Sequence, residues 1–192
     1  PISERSLADI VATYKDCPDL LGKIQQPEAE QDFSTKFIKT HEDYIQLNSK
    51  GFRKLRVCHN LGEANDDENI FLLIHGLGGN LEQFEPLLKL IDEDNKKFLC
   101  LDLPGFGKSD EWDKYPMIDV IDVIHEVVCM FGGEHHRPLT IIGHSMGCYI
   151  SLHFYQIYAS TYLINKIVLL SPPKRTVDQL AKNNYLIQLG LL

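Results

Sequence analysis

The stretch Leu139-Thr-Ile-Ile-Gly-His-Ser-Met-Gly-Cys-Tyr-Ile150 decides how this chain folds. Leu139–Ile142 reads as a strand, and residues 146–159 carry an apolar, helix-like run. Between them stands a serine held by two glycines, Gly143-His144-Ser145-Met146-Gly147. A strand that becomes a helix at once must bend sharply, and backbone at such a bend is strained. Glycines two before and two after it let neighbouring elements close in. The helix aims its first amides at the bend, which favours developing negative charge there. Ser145 is therefore a candidate nucleophile, and the Met146 N–H a candidate oxyanion donor. An ordinary tight strand-to-helix turn is the plain alternative.

Moving upstream, Ile70-Phe-Leu-Leu-Ile74 is a continuous apolar run, as in a strand covered on both faces. It ends in His75-Gly76-Leu77-Gly78-Gly79-Asn80. An oxyanion hole needs a second amide from a neighbouring loop, and glycines let backbone approach closely. Leu77 N–H is the candidate; a loop that merely starts the next helix is the alternative. Helical spacing follows over 80–92, a buried strand over 98–101, and a helix over 116–130 with Pro116 at its start and Gly132-Gly133 at its stop. The last strand is 164–170, its most apolar part Ile167–Leu170. Two strand-like runs, 36–47 and 52–60, precede this alternation, joined by a hairpin turn at Asn48-Ser-Lys-Gly51. Residues 62–68 form a further polar turn. The order β-β-β-α-β-α-β-α-β predicts an α/β fold, a mostly parallel sheet flanked by helices. Residues 5–16 have helical spacing, 25–32 reads as a linker, and 174–192 as an amphipathic helix.

The bulk numbers fit one domain with a real core: 192 residues, 44% hydrophobic and 24% charged. A net charge of −8 argues against general nucleic-acid binding. The five cysteines, Cys17, Cys58, Cys100, Cys129 and Cys148, are odd in number and scattered, without a CxxC. That pattern points to a reducing, intracellular (cytoplasmic) setting. No glycosylation sequon, signal-peptide pattern or sorting tag is visible, and no apolar run approaches the ~20 residues of a membrane span.

GHSMG (143–147), HGLGGN (75–80) and DLPGFGKSD (102–110) stand in an order and spacing that resemble the α/β-hydrolases, over residues about 36–173. A serine at the bend, not an aspartate, looks more like the esterase, lipase and amidase branches than the epoxide-hydrolase or haloalkane-dehalogenase ones. The resemblance implies a serine hydrolase acting on carboxylic esters, lipid esters among them, without metal or organic cofactor. It implies that His75, Gly76, Asp102, Gly143, His144 and Gly147 support the site without doing its chemistry. It divides the chain into a leading helix and linker (1–35), a core (36–173) and the start of a cap (174–192).

In this fold the acid and then the histidine follow the serine in sequence. Only His153 follows Ser145, and eight residues of helix place it roughly 12 Å away. After the strand ending at Leu170 come Ser171-Pro-Pro-Lys174, with no carboxylate at the tip. The expectation is an α/β-hydrolase core that stops after about its sixth strand, short of both partners. The edge of strand 164–170 would then be covered by a further part of the protein or by a second copy.

Three other readings stand beside this one. Gly105-Phe-Gly-Lys-Ser109 resembles the end of a P-loop, but the place of the leading glycine is taken by Asp102, which would repel phosphate. His125-Glu126 begins an HExxH pattern that fails at Cys129, and His135-His136 read as solvated surface. A hydrolase-fold protein acting only as a binding module also fits the absent acid and histidine.

Overall fold

Apolar runs without alternation demand cover on both faces, and the sheet receives it. The computed structural model of the chain describes residues 34–47, 54–62, 68–132, 137–174 and 176. In chain order the elements are α1 (Lys36–His41), β1 (Glu42–Ile45), β2 (Leu55–His59) and β3 (Ile70–Ile74). A 3₁₀ turn (Leu81–Phe84) then runs into α2 (Glu85–Glu93), followed by β4 (Lys97–Leu101), α3 (Met117–Gly132), β5 (Leu139–His144), α4 (Met146–Tyr158) and β6 (Ile164–Leu170). The strands form one sheet in the order β1-β2-β4-β3-β5-β6. β1 and β2 pair antiparallel, as do β2 and β4; the remaining neighbours are parallel.

Each side of the sheet carries its own core. On one, Leu72, Ile74, Leu99, Leu101 and Ile141 pack with Ile121, Ile124, Ile150 and Phe154 of α3 and α4. On the other, Leu73, Phe98, Cys100 and Ile142 pack with Ile38 of α1 and with Leu88 and Ile91 of α2. Leu72 and Leu73, adjacent on β3, point into opposite cores, and both are fully buried.

This winding fixes where loops can meet. From β3 the chain crosses through α2 to β4 on one side of it. From β5 it crosses through α4 to β6 on the other. The winding reverses between the neighbouring strands β3 and β5, so the loops leaving them diverge and open a crevice at their carboxyl ends. Ile74 is in register with Leu101 on β4 and with Gly143 on β5, which brings His75, Asp102 and His144 to one rim.

The expected alternation and sheet are present, with one correction. The pattern over residues 36–47 predicts a strand; the first part is instead helix α1, and only Glu42–Ile45 is extended. The Thr35 side chain caps α1 by accepting from Ile38 N–H, and the helix seats Ile38, fully buried, in the second core. Tertiary burial outweighs the strand-like run. The expected hairpin turn at 48–51, the helix at 5–16 and the linker at 25–32 lie outside the described residues, as does nearly all of 174–192.

Because β3 is covered on both faces, Leu72→Ala and Leu73→Ala should each lower stability by about 2–5 kcal/mol. Urea unfolding midpoints check this. A half-exposed β3 would make one of the two substitutions nearly neutral.

Candidate active site

The bend after β5 holds Ser145 at φ 50°, ψ −112°, a conformation that non-glycine residues rarely adopt. Such backbone costs on the order of 1–3 kcal/mol and persists only when its surroundings hold it. Here they do. Ser145 N–H donates to Leu170 O at 2.9 Å, and Ser145 O accepts from Cys148 N–H at 3.0 Å. Cys148 Sγ lies 3.1 Å from Gly143 O and 3.3 Å from Leu170 O, filling the space behind the bend. Burial pushes the Cys148 thiol up to about 11, so it stays protonated.

Close approach explains the glycines around the bend. A Cβ on Gly147 would collide with the carbonyl oxygen of Ile74, so the first turn of α4 rests directly on the end of β3. A Cβ on Gly143 would meet Gly147 O and Ser151 Oγ. A Cβ on Gly76 would lie 2.9 Å from Ser145 Cβ. The loop after β3 and the serine bend are therefore in contact across the crevice.

His75 organises that loop. Its Nε2 accepts from Leu103 N–H at 2.9 Å, and its Nδ1 lies 2.7 Å from Gly76 O. A backbone amide can only donate, so Nε2 carries the lone pair and Nδ1 carries the proton. Gly76 O also accepts from Gly79 N–H at 3.1 Å, which closes the turn around Leu77. The His75 ring is fully buried, with Phe106 edge-on at 5.5 Å. Burial drops its pKa to about 4, so the imidazole is neutral near pH 7. Leu77, at the tip, is among the exposed large apolar residues, and its N–H meets no acceptor among the described residues. Met146 N–H, first amide of α4, has no partner within the helix either. His144 precedes the serine; its Nδ1 is buried, lies 3.3 Å from the place of a Gly76 Cβ, and has no partner among the described residues.

Asp102 is fully buried at the end of β4. Its Oδ1 accepts from Leu81 N–H at 2.7 Å, where the loop after β3 enters the 3₁₀ turn. Its Oδ2 accepts from Lys108 N–H at 2.9 Å and from Arg56 Nη1–H at 3.3 Å. Gly107 has φ +55°, and a Cβ there would run into the carboxylate. The turn that resembled a P-loop thus wraps a carboxylate of the protein itself. The HExxH-like pair is also accounted for: Tyr162 OH lies 2.6 Å from His125 Nδ1 and 3.1 Å from Cys129 Sγ. Among the described residues no group of three His, Cys, Asp or Glu side chains is placed to hold a metal ion, and no helix is long and apolar enough to cross a membrane.

Sequence reasoning passed over Arg56, Glu82 and Ser34. Arg56 is fully buried on β2 and bonds Glu42, Glu82, Asp102 and Ser34. The signal was a lone charge inside the apolar run Leu55-Arg-Val-Cys58. Phe106, against His75, was passed over too.

Comparison with known proteins agrees with this fold. Residues 69–187 match the family described as alpha/beta hydrolase fold. The chain is 40% identical, over 209 aligned positions, to the Saccharomyces cerevisiae protein named Lipid droplet hydrolase 1, an alignment covering 100% of this chain and 56% of the yeast protein. It spans little more than half the length of that relative. Among solved structures, the thioesterase domain from the curacin biosynthetic pathway superposes with a TM-score of 0.57 at 19% identity, covering 73% of this chain and 51% of that one. A probable hydrolytic enzyme from Pseudomonas aeruginosa PAO1 gives the same TM-score and identity over 68% of this chain and 41% of its own. At such identities the solved structures speak for the fold alone. With a family match across more than half its length and a close relative along all of it, the chain belongs to the alpha/beta hydrolase fold family.

Proposed function

We propose that this chain supplies the nucleophile and the oxyanion hole of a serine hydrolase that cleaves carboxylic esters of lipids. The observation that carries the reading is the contact between Gly76 and the strained Ser145 at the reversal of the winding. In this reading the hydroxyl of Ser145 and two amides, those of Leu77 and Met146, share one crevice. In the reaction Ser145 Oγ attacks the ester carbonyl carbon and gives its proton to a histidine. The carbonyl oxygen, now an anion, takes hydrogen bonds from Leu77 N–H and Met146 N–H. The carbonyl re-forms as the C–O bond to the alcohol breaks, and the histidine returns the proton to the leaving alkoxide. Water then repeats the sequence on the acyl-enzyme and releases the acid.

That histidine, and the acid that orients it, belong in this reading to residues other than the described ones. His75 has both ring nitrogens engaged in holding the loop. His153 sits far along α4 against Tyr149, with burial lowering its pKa. His41 packs near Phe98 at the start of β4, His59 packs on Phe131 at the end of α3, and His125 bonds Tyr162 ahead of β6. All three lie toward the amino ends of the parallel strands, away from Ser145. His144 is next to the serine, and its Nδ1 and Ser145 Cβ lie 3.3 and 2.9 Å from the place of a Gly76 Cβ, but that nitrogen makes no hydrogen bond among the described residues. Lipid esters are favoured because the yeast relative carries a lipid-droplet name. A reducing, intracellular setting goes with this reading on the odd number and scattered spacing of the five cysteines.

Fluorophosphonate labelling of the longest natural form of the protein, with mapping of the adduct, tests the assignment. Ser145 should carry the label, and Ser145→Ala should abolish it and lower ester turnover by at least about 10³-fold. Labelling at another residue, or turnover that survives the substitution, would contradict it. The structural role of His75 has its own readout. Its imidazole NMR signals should show the neutral Nδ1–H form near pH 7 and titrate near pH 4. The unfolded chain binds that proton near pH 6.5, so stability is fully present above that pH and falls as pH drops toward 4. The full loss attributable to His75 is on the order of 3 kcal/mol. Titration near pH 6.5 in the folded protein would show a ring not held as described.

A further inference from the structure

We propose that Arg56 is a positioning residue for the oxyanion loop, acting through the carboxylates of Asp102 and Glu82 on the segment where that loop ends. The inference rests on the serine-hydrolase reading and concerns a residue that makes no contact with Ser145 or its neighbours 143–147 among the described hydrogen bonds and ion pairs.

Four of the five guanidinium N–H groups are committed. Nε–H donates to Glu42 at 2.8 Å, Nη1 to Glu82 at 2.8 Å and to Asp102 at 3.3 Å, and Nη2 to Ser34 Oγ at 2.7 Å. The Ser34 hydroxyl donates to Glu82 Oε1 at 2.8 Å and also accepts from Lys108 Nζ at 2.9 Å. Glu82 belongs to the 3₁₀ turn that follows the loop, and Leu81, the first residue of that turn, hangs by its amide on Asp102. Arg56 thus grips the exit of the loop by two carboxylates at once.

The charge on Asp102 is what makes the grip work. To accept from both Leu81 N–H and Lys108 N–H, its two oxygens must both offer lone pairs. A protonated carboxyl turns one oxygen into a donor facing an amide donor. Burial pushes the Asp102 carboxyl up, against its hydrogen bonds to Lys108 and Leu81 and the charge of Arg56. The groups around it are Arg56 of β2, Glu42 of β1, Glu82 of the 3₁₀ turn and Lys108 of the glycine turn, with Tyr44, Cys58 and Cys100 beyond. Glu82 opposes a further negative charge, while the Lys108 and Leu81 amides and the charge of Arg56 favour it. Burial works against the Arg56 charge as well, but Glu82, Asp102 and Glu42 outweigh it and raise its pKa. Replacing such a buried cluster by apolar side chains is often neutral or stabilising, so its presence calls for a reason besides stability. Holding an amide-bearing loop in register is such a reason.

The test uses the longest natural form of the protein and the rate constant of Ser145 inactivation by a fluorophosphonate, measured from pH 5.5 to 8.5. Arg56→Gln should lower that rate about tenfold at pH 7.5, a loosened donor costing less than a deleted one. The apparent KI should stay within about twofold, since the effect lies in the transition state. The acid limb of the profile should move to higher pH, because loss of the Arg56 charge makes the Asp102 carboxylate easier to protonate. Arg56→Lys, which keeps the charge, should bring the limb back toward its wild-type position and recover most of the rate. Should Arg56→Gln fail to fold, Arg56→Gln/Glu82→Gln removes one charge of each sign and carries the same expectation. Folded variants that react at the wild-type rate with the wild-type profile overturn the Arg56 assignment alone. A wild-type protein whose Ser145 is not labelled overturns the serine-hydrolase reading, and this inference with it.

Discussion

Everything at the rim depends on how closely α4 can lie on the end of β3. The helix begins one residue after Ser145, and Gly147 presses its bare Cα against the Ile74 carbonyl. No side chain fits between them. That contact sets the bend, the bend sets the strain at Ser145, and the hydrogen bond to Leu170 holds it. The other partner in the crevice, the loop after β3, reaches the serine because Gly76 is equally bare. Reversal of the winding between β3 and β5 turns these contacts into an open site rather than a filled corner.

A second layer keeps the loop from relaxing. His75 is locked as a neutral ring between Leu103 N–H and Gly76 O, and Asp102 holds Leu81 and Lys108 by their amides. Both are buried polar side chains spent on backbone rather than on substrate. Their cost in desolvation is large, which is the usual sign of a geometry that packing alone would not hold. Strain at the serine and buried polar groups behind the loop are two halves of one arrangement, which under the proposed function holds donors preorganised around a position where charge develops.

Much of this is legible in the sequence, because it is written in local chemistry. The unbroken apolar runs at 70–74 and 98–101, and the run at 139–142 with Thr140 its one polar residue, leave little surface for water, so a sheet covered twice is the solution they favour. Glycine spacing around Ser145 and after His75 announces close backbone contacts before any coordinates exist. What escapes is written in tertiary contacts. Residues 36–41 look extended until Ile38 has a core to enter and Thr35 a helix to cap. Arg56 reads as one charge in a strand until Glu42, Glu82, Asp102 and Ser34, distant in sequence, converge on it. The two antiparallel strands ahead of the alternation thus bring more than sheet width: β2 carries a cation to the back of the loop.

The most direct measurement is a crystal structure of the longest natural form with a phosphonate bonded to Ser145 Oγ. The phosphoryl oxygen stands in for the carbonyl oxygen at the tetrahedral stage. It should lie about 2.7–3.1 Å from both Leu77 N and Met146 N. An adduct whose oxygen points to solvent, beyond hydrogen-bond reach of both amides, would contradict a preformed oxyanion hole between the loop at 75–80 and the start of α4.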